Sequence, residues 1–169
     1  IEAIAVMAHL AHGGQNAFIV VCPASIVINW VREIEKHSEL KPFLVHGPSR
    51  ERAFDQWQVE GGVAITTYET IQRLKHENLD TIDLLVVDEA HYVKNPDAKR
   101  SQTIYSLTER SNNVLYLTGT PLENRLAEMV NLVGKLQPDI TKEMENSVQY
   151  IGSNTFKEKI APVYLRRNK

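Results

Sequence analysis

The sequence is short of several features that would point to a specialised setting. Among its 169 residues there is a single cysteine, Cys22, so an internal disulfide is excluded and an intracellular setting is favoured. No apolar run approaches the ~20 residues that a membrane span needs. A large excess of one charge is also missing, because the formal net charge is −2. Bulk electrostatics therefore does not predict nucleic-acid binding, and any such function must rest on local sites.

The two ends of the sequence lack the usual signals. The stretch IEAIAVMAHLAH (1–12) has a helical rhythm from its first residue, without a starting Met, a signal peptide or a capping residue. The stretch VYLRRNK (163–169) stops after a strand-like run. We therefore expect the sequence to be a piece of a longer protein.

What the sequence does contain is a globular composition, with 43% hydrophobic and 24% charged residues, in a length that suits one α/β domain. Continuous apolar runs alternate with helical patterns, which predicts a parallel sheet covered by helices on both faces. Strands are expected at 17–22, 42–46, 62–67, 84–88 and 114–118. Helices are expected at 25–37, 48–58, 68–74, 96–110 and 123–136.

Three of these helices carry a start signal. Asn95 before Pro96 suits an N-cap with proline at the first helical position. Thr66 and Glu69 match a capping box, and Ser25 is expected to cap the helix that follows it.

The run LLVVDEAH (84–91) places two adjacent carboxylates at the end of a buried strand. In parallel α/β folds, ligands bind outside the carboxyl ends of the strands. Asp88 could hold Mg²⁺ through its water shell, and Glu89 could orient or deprotonate a water that attacks a phosphate. An alternative interpretation is an acidic pair that caps the following turn. His91 could be a metal ligand, although no residue beside it has zinc-type spacing.

Five stretches together resemble the ATPases of the Swi/Snf type, the double-stranded-DNA translocases within the DEAH-box helicase superfamily. The stretch LTGTPLEN (117–124) is the most discriminating part, and the resemblance covers essentially the whole chain. It implies a three-layer, RecA-like α/β fold. The five stretches are IVVCPASIVINWVREIEKH (19–37), AITTYET (64–70), LLVVDEAHYVKN (84–95), VLYLTGTPLENRLAEMVNLVGKLQP (114–138) and YLRRNK (164–169).

The resemblance implies a role for the residues that match the family's catalytic motifs. Asp88 is implied as the Mg²⁺-associated acid, Glu89 as the catalytic glutamate, and His91 as the link between the nucleotide site and the cleft between two lobes. Taken alone, the tripeptide after the last strand also suits a simple turn into a helix. The residues that match the family's coupling motif are Thr118, Gly119 and Thr120.

The resemblance also implies contacts with the phosphate backbone of DNA, which are independent of base sequence. Free N–H groups at a helix start suit a phosphate, and simple capping by Ser25 and Thr67 would use the same helix ends. Trp30, in contrast, is expected in the core rather than as a base-stacking platform. The candidate phosphate contacts are Pro23, Ser25, Thr66, Thr67 and Tyr68.

The family's phosphate-binding loop, which ends Gly-Lys-Thr, would come directly before residue 1. We expect this loop, its strand and a second RecA-like lobe with an arginine finger to lie outside the sequence. Residues 1–169 then form a single partial lobe with a short insertion at 139–152. Alone, this lobe is expected neither to bind ATP tightly nor to hydrolyse it, and an unfilled strand position makes its self-association an expectation.

The implied function is the first ATPase lobe of a translocase that uses ATP and Mg²⁺ to move on double-stranded DNA, in chromatin remodelling or DNA repair. The alternatives are a DEAH-type helicase that unwinds RNA or DNA, a non-catalytic binding module, and a metal-dependent hydrolase. The expected location is the cytoplasm in a bacterium and the nucleus in a eukaryote.

Overall fold

Continuous apolar runs form the strands of a parallel sheet in the computed structural model, which describes residues 2–76 and 79–117. The strands are β1 (Ala17–Cys22), β2 (Pro42–Val45), β3 (Gly62–Thr67), β4 (Ile82–Val87) and β5 (Ser111–Tyr116). Their order in the sheet is β2-β3-β1-β4-β5, and every neighbouring pair is parallel. The helices are α1 (Glu2–His12), α2 (Val27–His37), α3 (Arg50–Glu60), α4 (Tyr68–Ile71) and α5 (Lys99–Glu109).

Each face of the sheet is covered by its own hydrophobic core. Helices α1 and α2 pack on one face through residues such as Met7 and Ile34, which are fully buried. Helices α3, α4 and α5 cover the other face, where Trp57 and Ile104 lie in the core. The predicted three-layer α/β arrangement is therefore confirmed. The helix expected at 123–136, the insertion at 139–152 and the stretch 164–169 lie outside the described residues.

The register of the central strands brings their carboxyl ends to one level. Cys22 of β1 is paired with Thr67 of β3, and Val21 is paired with Val87 of β4. Parallel strands that end together form a common edge, where the next residues of each strand meet. The residues that follow the three strands at this edge are Pro23, Tyr68 and Asp88.

Two strands begin earlier than predicted, because polar residues lie at or beside their first position. In β4 the apolar run is interrupted by Asp83, whose Oδ2 accepts hydrogen bonds from the backbone N–H groups of Asn16 (3.1 Å) and Ala17 (2.9 Å). Strand β5 begins at Ser111 and is only partly buried along its length. A search for apolar runs does not find strand residues of this kind.

Two of the three predicted start signals do not cap the helix that follows them. Helix α5 begins at Lys99 rather than at Pro96. The side chain of Asn95 instead accepts a hydrogen bond from the backbone N–H of Asp97 at 3.1 Å, which forms an Asx turn before the helix. Ser25 lies inside a short 3-10 turn (Ala24–Ile26), and α2 then starts without a side-chain cap.

The capping box expected at Thr66 is displaced by one residue. The N-cap of α4 is Thr67, whose Oγ1 accepts a hydrogen bond from the backbone N–H of Thr70 at 3.1 Å. The same hydroxyl donates to Thr70 Oγ1 at 2.9 Å. Helix α4 ends at Ile71, three residues before the expected end. The simple capping role expected of Thr67 is thus confirmed.

The Thr67 cap is open to a direct test. Replacing Thr67 by valine keeps the shape but leaves the amide of Thr70 unpaired, so we expect the free energy of unfolding to fall by about 1–2 kcal/mol. The matched control is Thr103→Val, because the exposed Thr103 hydroxyl also bonds within its helix, to the carbonyl of Lys99. We expect that control to change stability by less than about 0.5 kcal/mol in urea unfolding. Equal losses in both variants would contradict the buried cap.

The sheet ends at β5 within the described part of the chain. There, β5 is paired with β4 on one side and with no strand on the other. Self-association through this edge stays a prediction. Among residues 2–76 and 79–117, no helix has the length and apolar character to cross a membrane.

Candidate active site

Asp88 follows β4 directly, and each of its four polar atoms makes a hydrogen bond. Its backbone N–H donates to the carbonyl of Val21 at 2.8 Å, and its carbonyl accepts from the hydroxyl of Tyr68 at 2.5 Å. Carboxylate Oδ1 accepts from the backbone N–H of Glu89 at 2.8 Å. Carboxylate Oδ2 accepts from the indole Nε1–H of Trp30, also at 2.8 Å. The direction of this carboxylate is therefore fixed by its surroundings.

Glu89 adopts a left-handed backbone conformation, with φ 54° and ψ 52°. In the described part of the chain it is the only residue other than glycine with a positive φ. This conformation costs a non-glycine residue about 1–2 kcal/mol, and it persists where the surrounding structure holds it. The next residue, Ala90, donates its N–H to the carbonyl of Leu117 at 2.8 Å. Asp88 and Ala90 thus hold the strained residue from both sides.

The side chains of Glu89 and His91 lie together at the mouth of this turn. His91 Nδ1 is 3.2 Å from Glu89 Oε2, and the exposed fractions of the two side chains are 37% and 33%. The contact lacks the geometry of a hydrogen bond. The Glu89 carboxylate therefore keeps accessible lone pairs with which it could accept a proton from water.

Tyr68 is fully buried beneath the Asp88 turn. Its ring stacks on Tyr92, with the centroids 5.3 Å apart and the planes at 11°. Burial, and secondarily the charge of Asp88, raise the pKa of the Tyr68 hydroxyl far above its usual value. The hydroxyl therefore stays protonated and remains a donor to the Asp88 carbonyl at any physiological pH.

The five residues expected to contact DNA are not equally accessible. Ser25 is exposed and Pro23 is half-buried, and both lie just beyond the end of β1. Thr66 and Thr67 of β3 and Tyr68 of α4 are almost completely buried. Among the five, Pro23 and Ser25 therefore have the accessible side chains. Contact of these five residues with DNA stays a prediction.

Two hydrogen bonds of this site, those that Trp30 and Tyr68 donate to Asp88, were not predicted from the sequence. Trp30 does pack against the core around α2, as expected, but it is only half-buried and its indole N–H reaches Asp88. Tyr68 was expected to face DNA, whereas its hydroxyl reaches the Asp88 carbonyl. A signal was available, because a tryptophan or tyrosine inside a fold needs an acceptor for its polar hydrogen. The sequence did not reveal which acceptor that would be.

The Asp88 carboxylate has free lone pairs of the kind that a magnesium ion held through its water shell would need. In residues 2–76 and 79–117 there is no group of three or more His, Cys, Asp or Glu side chains that could hold a metal ion. Each carboxylate oxygen of Asp88 accepts one hydrogen bond and keeps a second lone pair. Those lone pairs can accept hydrogen bonds from the water shell that Mg²⁺ retains.

The residues expected to form the coupling motif, Thr118, Gly119 and Thr120, lie outside the described residues. The residue directly before them, Leu117, is hydrogen-bonded to the backbone on both sides of the Asp88–Glu89 turn. Leu117 donates its N–H to the carbonyl of Val87 at 2.9 Å, and its own carbonyl accepts from Ala90. Their predicted role stays a prediction.

Comparison with known proteins places this geometry in a family context. The SNF2-related domain model matches residues 1–163. The ISWI chromatin-remodeling complex ATPase ISW1 of Saccharomyces cerevisiae is 35% identical over 150 residues, which cover 83% of this chain and 13% of the relative. Helicase swr1 of Emericella nidulans is 36% identical over 149 residues, covering 82% of this chain and 8% of the relative.

A bacterial relative and a solved structure extend the comparison. An uncharacterized ATP-dependent helicase of Bacillus subtilis, YqhH, is 28% identical over 133 residues, covering 77% of this chain and 22% of the relative. The Sulfolobus solfataricus SWI2/SNF2 ATPase core in complex with dsDNA superposes with a TM-score of 0.70 at 22% identity. That match covers 98% of this chain and 43% of the other. The chain thus spans less than a quarter of each of these three relatives, and the structural likeness shows a shared fold.

Proposed function

Since the chain belongs to the SNF2-related domain family, we propose that it is the amino-terminal ATPase lobe of an ATP-dependent translocase on double-stranded DNA. The observation that carries the proposal is the Asp88–Glu89 turn. It presents one carboxylate with a fixed direction and a second with free lone pairs, at the carboxyl edge of a RecA-like sheet. In phosphoryl transfer, one carboxylate of such a pair can hold Mg²⁺ through its water shell, and the other can act on the attacking water.

In this proposal, Asp88 orients the water shell of Mg²⁺, which supplies charge neutralisation to the phosphates of ATP. The bonds from Trp30 and from the Glu89 amide stop the Asp88 carboxylate from rotating. Glu89 accepts a hydrogen bond from the attacking water and orients it or takes its proton. We propose that His91, whose Nδ1 is 3.2 Å from Glu89 Oε2, links this carboxylate to the cleft that faces a second lobe.

The proposed DNA contact is sequence-independent and lies at the end of β1. Ser25 is exposed in the 3-10 turn, and Pro23 immediately follows the strand. A hydroxyl and backbone N–H groups at the start of a helical segment are suitable partners for a phosphate. The buried residues Thr66, Thr67 and Tyr68 support this edge from the neighbouring strand. Coupling through residues 118–120 and docking of a second RecA-like lobe are part of the same proposal.

The test is phosphate release by a protein that carries this chain together with both lobes. We expect duplex DNA to raise the rate by about tenfold or more, within the usual range of coupling between sites. Single-stranded DNA and RNA serve as the matched nucleic-acid controls. A response to RNA or single strands alone would favour an unwinding helicase instead. Binding of duplex DNA without turnover under any condition would leave a non-catalytic module.

A further inference from the structure

Two aromatic side chains reach Asp88 from two different segments of the carboxyl edge. The indole N–H of Trp30 donates to carboxylate Oδ2 at 2.8 Å, and the hydroxyl of Tyr68 donates to the backbone carbonyl at 2.5 Å. Neither side chain is a group that could react with a nucleotide here, because each polar atom is directed at Asp88. Their hydrogen bonds therefore indicate that both side chains hold the Asp88–Glu89 turn in place.

Trp30 connects the turn to the accessible end of β1. It lies in the first turn of α2, which follows the Pro23–Ser25 segment after a single residue. Helix α2 is anchored to the sheet by the buried Val27 and Ile34. Trp30 thus lies between the Pro23–Ser25 segment along the chain and the Asp88 carboxylate that its indole N–H contacts.

Tyr68 connects the same turn to β3. It follows Thr67, which is paired with Cys22 in the register, so Tyr68 lies level with Pro23. The ring is fixed by burial and by its stacking on Tyr92. Strands β1 and β3 are paired along their whole length. Tyr68, directly after β3, thus lies at the same edge of the sheet as Pro23.

On the basis of the proposed function, we propose that Trp30 and Tyr68 are positioning residues. They transmit the occupancy of the Pro23–Ser25 segment by duplex DNA to the Asp88–Glu89 turn. Glu89 is the element that responds, because its left-handed conformation is strained and depends on neighbouring bonds. With both donors in place, the turn holds the Glu89 carboxylate where it can accept a hydrogen bond from water. With either donor missing, the strained residue relaxes and duplex DNA no longer orders it.

The two variants that test this inference each remove one donor and keep an aromatic ring, Trp30→Phe and Tyr68→Phe. The chain offers a matched control for each. Trp57 is buried in the opposite core and donates its indole N–H to the carbonyl of Gly62 at 3.0 Å. Tyr105 is buried and donates its hydroxyl to the carbonyl of Val93 at 2.8 Å. Trp57→Phe and Tyr105→Phe therefore cause the same chemical loss without touching Asp88.

The first readout needs no ATP hydrolysis. In the full-length protein, hydrogen–deuterium exchange of the backbone amides at 88–91 is measured with and without duplex DNA, in the absence of nucleotide. We expect DNA to slow this exchange about fivefold in the unsubstituted protein and in both controls. In Trp30→Phe and Tyr68→Phe this response should disappear, while the affinity for duplex DNA stays within about twofold.

The second readout is the rate of ATP hydrolysis at saturating duplex DNA. We expect kcat to fall about tenfold in Trp30→Phe and Tyr68→Phe, with the KM for ATP nearly unchanged, because positioning acts on the reacting step. If both variants retain the DNA-dependent protection and the kcat of their controls, the inference is overturned and the proposed function stands. If the unsubstituted protein neither binds duplex DNA nor responds to it, the proposed function itself fails.

Discussion

Replacing Glu89 by glutamine is expected to lower DNA-stimulated ATP hydrolysis roughly a thousandfold, the usual contribution of a group that orients and deprotonates a nucleophilic water. Glutamine has the same shape but cannot accept a proton at neutral pH. The Glu89 side chain is one-third exposed, and within residues 2–76 and 79–117 its ion-pair contact is with His91. Glu89→Gln therefore removes the group that accepts the proton and leaves the packing of the turn intact. The measurement is phosphate release at saturating duplex DNA, ATP and Mg²⁺.

The control for this substitution is Glu51→Gln, which makes the same chemical change in the exposed first turn of α3. It should leave hydrolysis and DNA affinity unchanged. Glu89→Gln should likewise bind duplex DNA with unchanged affinity, because the proposed contacts, Pro23 and Ser25, lie at the end of β1. If Glu89→Gln kept more than about a tenth of the rate, another group would have to activate the water.

Replacing Gly62 by alanine is expected to cost about 3 kcal/mol or more of folding free energy. Gly62 opens β3 with φ 116°, a conformation that is strained for any residue with a side chain. An added Cβ would also lie 2.5 Å from the carbonyl oxygen of Lys41. That oxygen cannot move away easily, because it accepts a hydrogen bond from the N–H of Val63 at 2.9 Å. Backbone strain and overpacking therefore add at this position.

Gly14→Ala separates these two contributions. Gly14 also has a positive φ, 89°, but no atom lies within 4 Å of the position that its Cβ would take. Backbone strain alone should then cost about 1 kcal/mol. Urea unfolding of both variants measures the difference, which we expect to be at least about 2 kcal/mol. Equal costs would mean that the Lys41 segment yields to the added methyl group.

Much of the fold could be predicted from the sequence, because burial on both faces leaves an unmistakable apolar run. Strands β1 and β3 have the predicted bounds, 17–22 and 62–67, and nearly every residue in them is buried. The position of Asp88 at a strand end followed from the same pattern. Strand β5 was placed three residues late at its start, because its opening residues are polar and partly exposed.

The hydrogen bonds of the site could not be predicted in the same way. An apolar pattern records that a side chain faces inward, but not where its polar tip points. Trp30 and Tyr68 both pack against their neighbours, and each also donates a hydrogen bond to Asp88. The left-handed conformation of Glu89 is equally invisible, since glutamate carries no preference for it. The helix caps shifted because several hydroxyl and amide side chains near a helix start compete for the same backbone N–H groups.

The central position of β1 affects how the chain folds during its synthesis on the ribosome. Strand β1 is made early, yet both of its partners, β3 and β4, are made later, and β4 only after three further helices. Until Val87 has left the exit tunnel, the apolar surface of β1 has no complete place in a sheet. Contacts so distant along the chain form slowly and leave strand edges open to other molecules. We therefore expect the nascent chain to expose the apolar faces of β1 until translation has supplied β4.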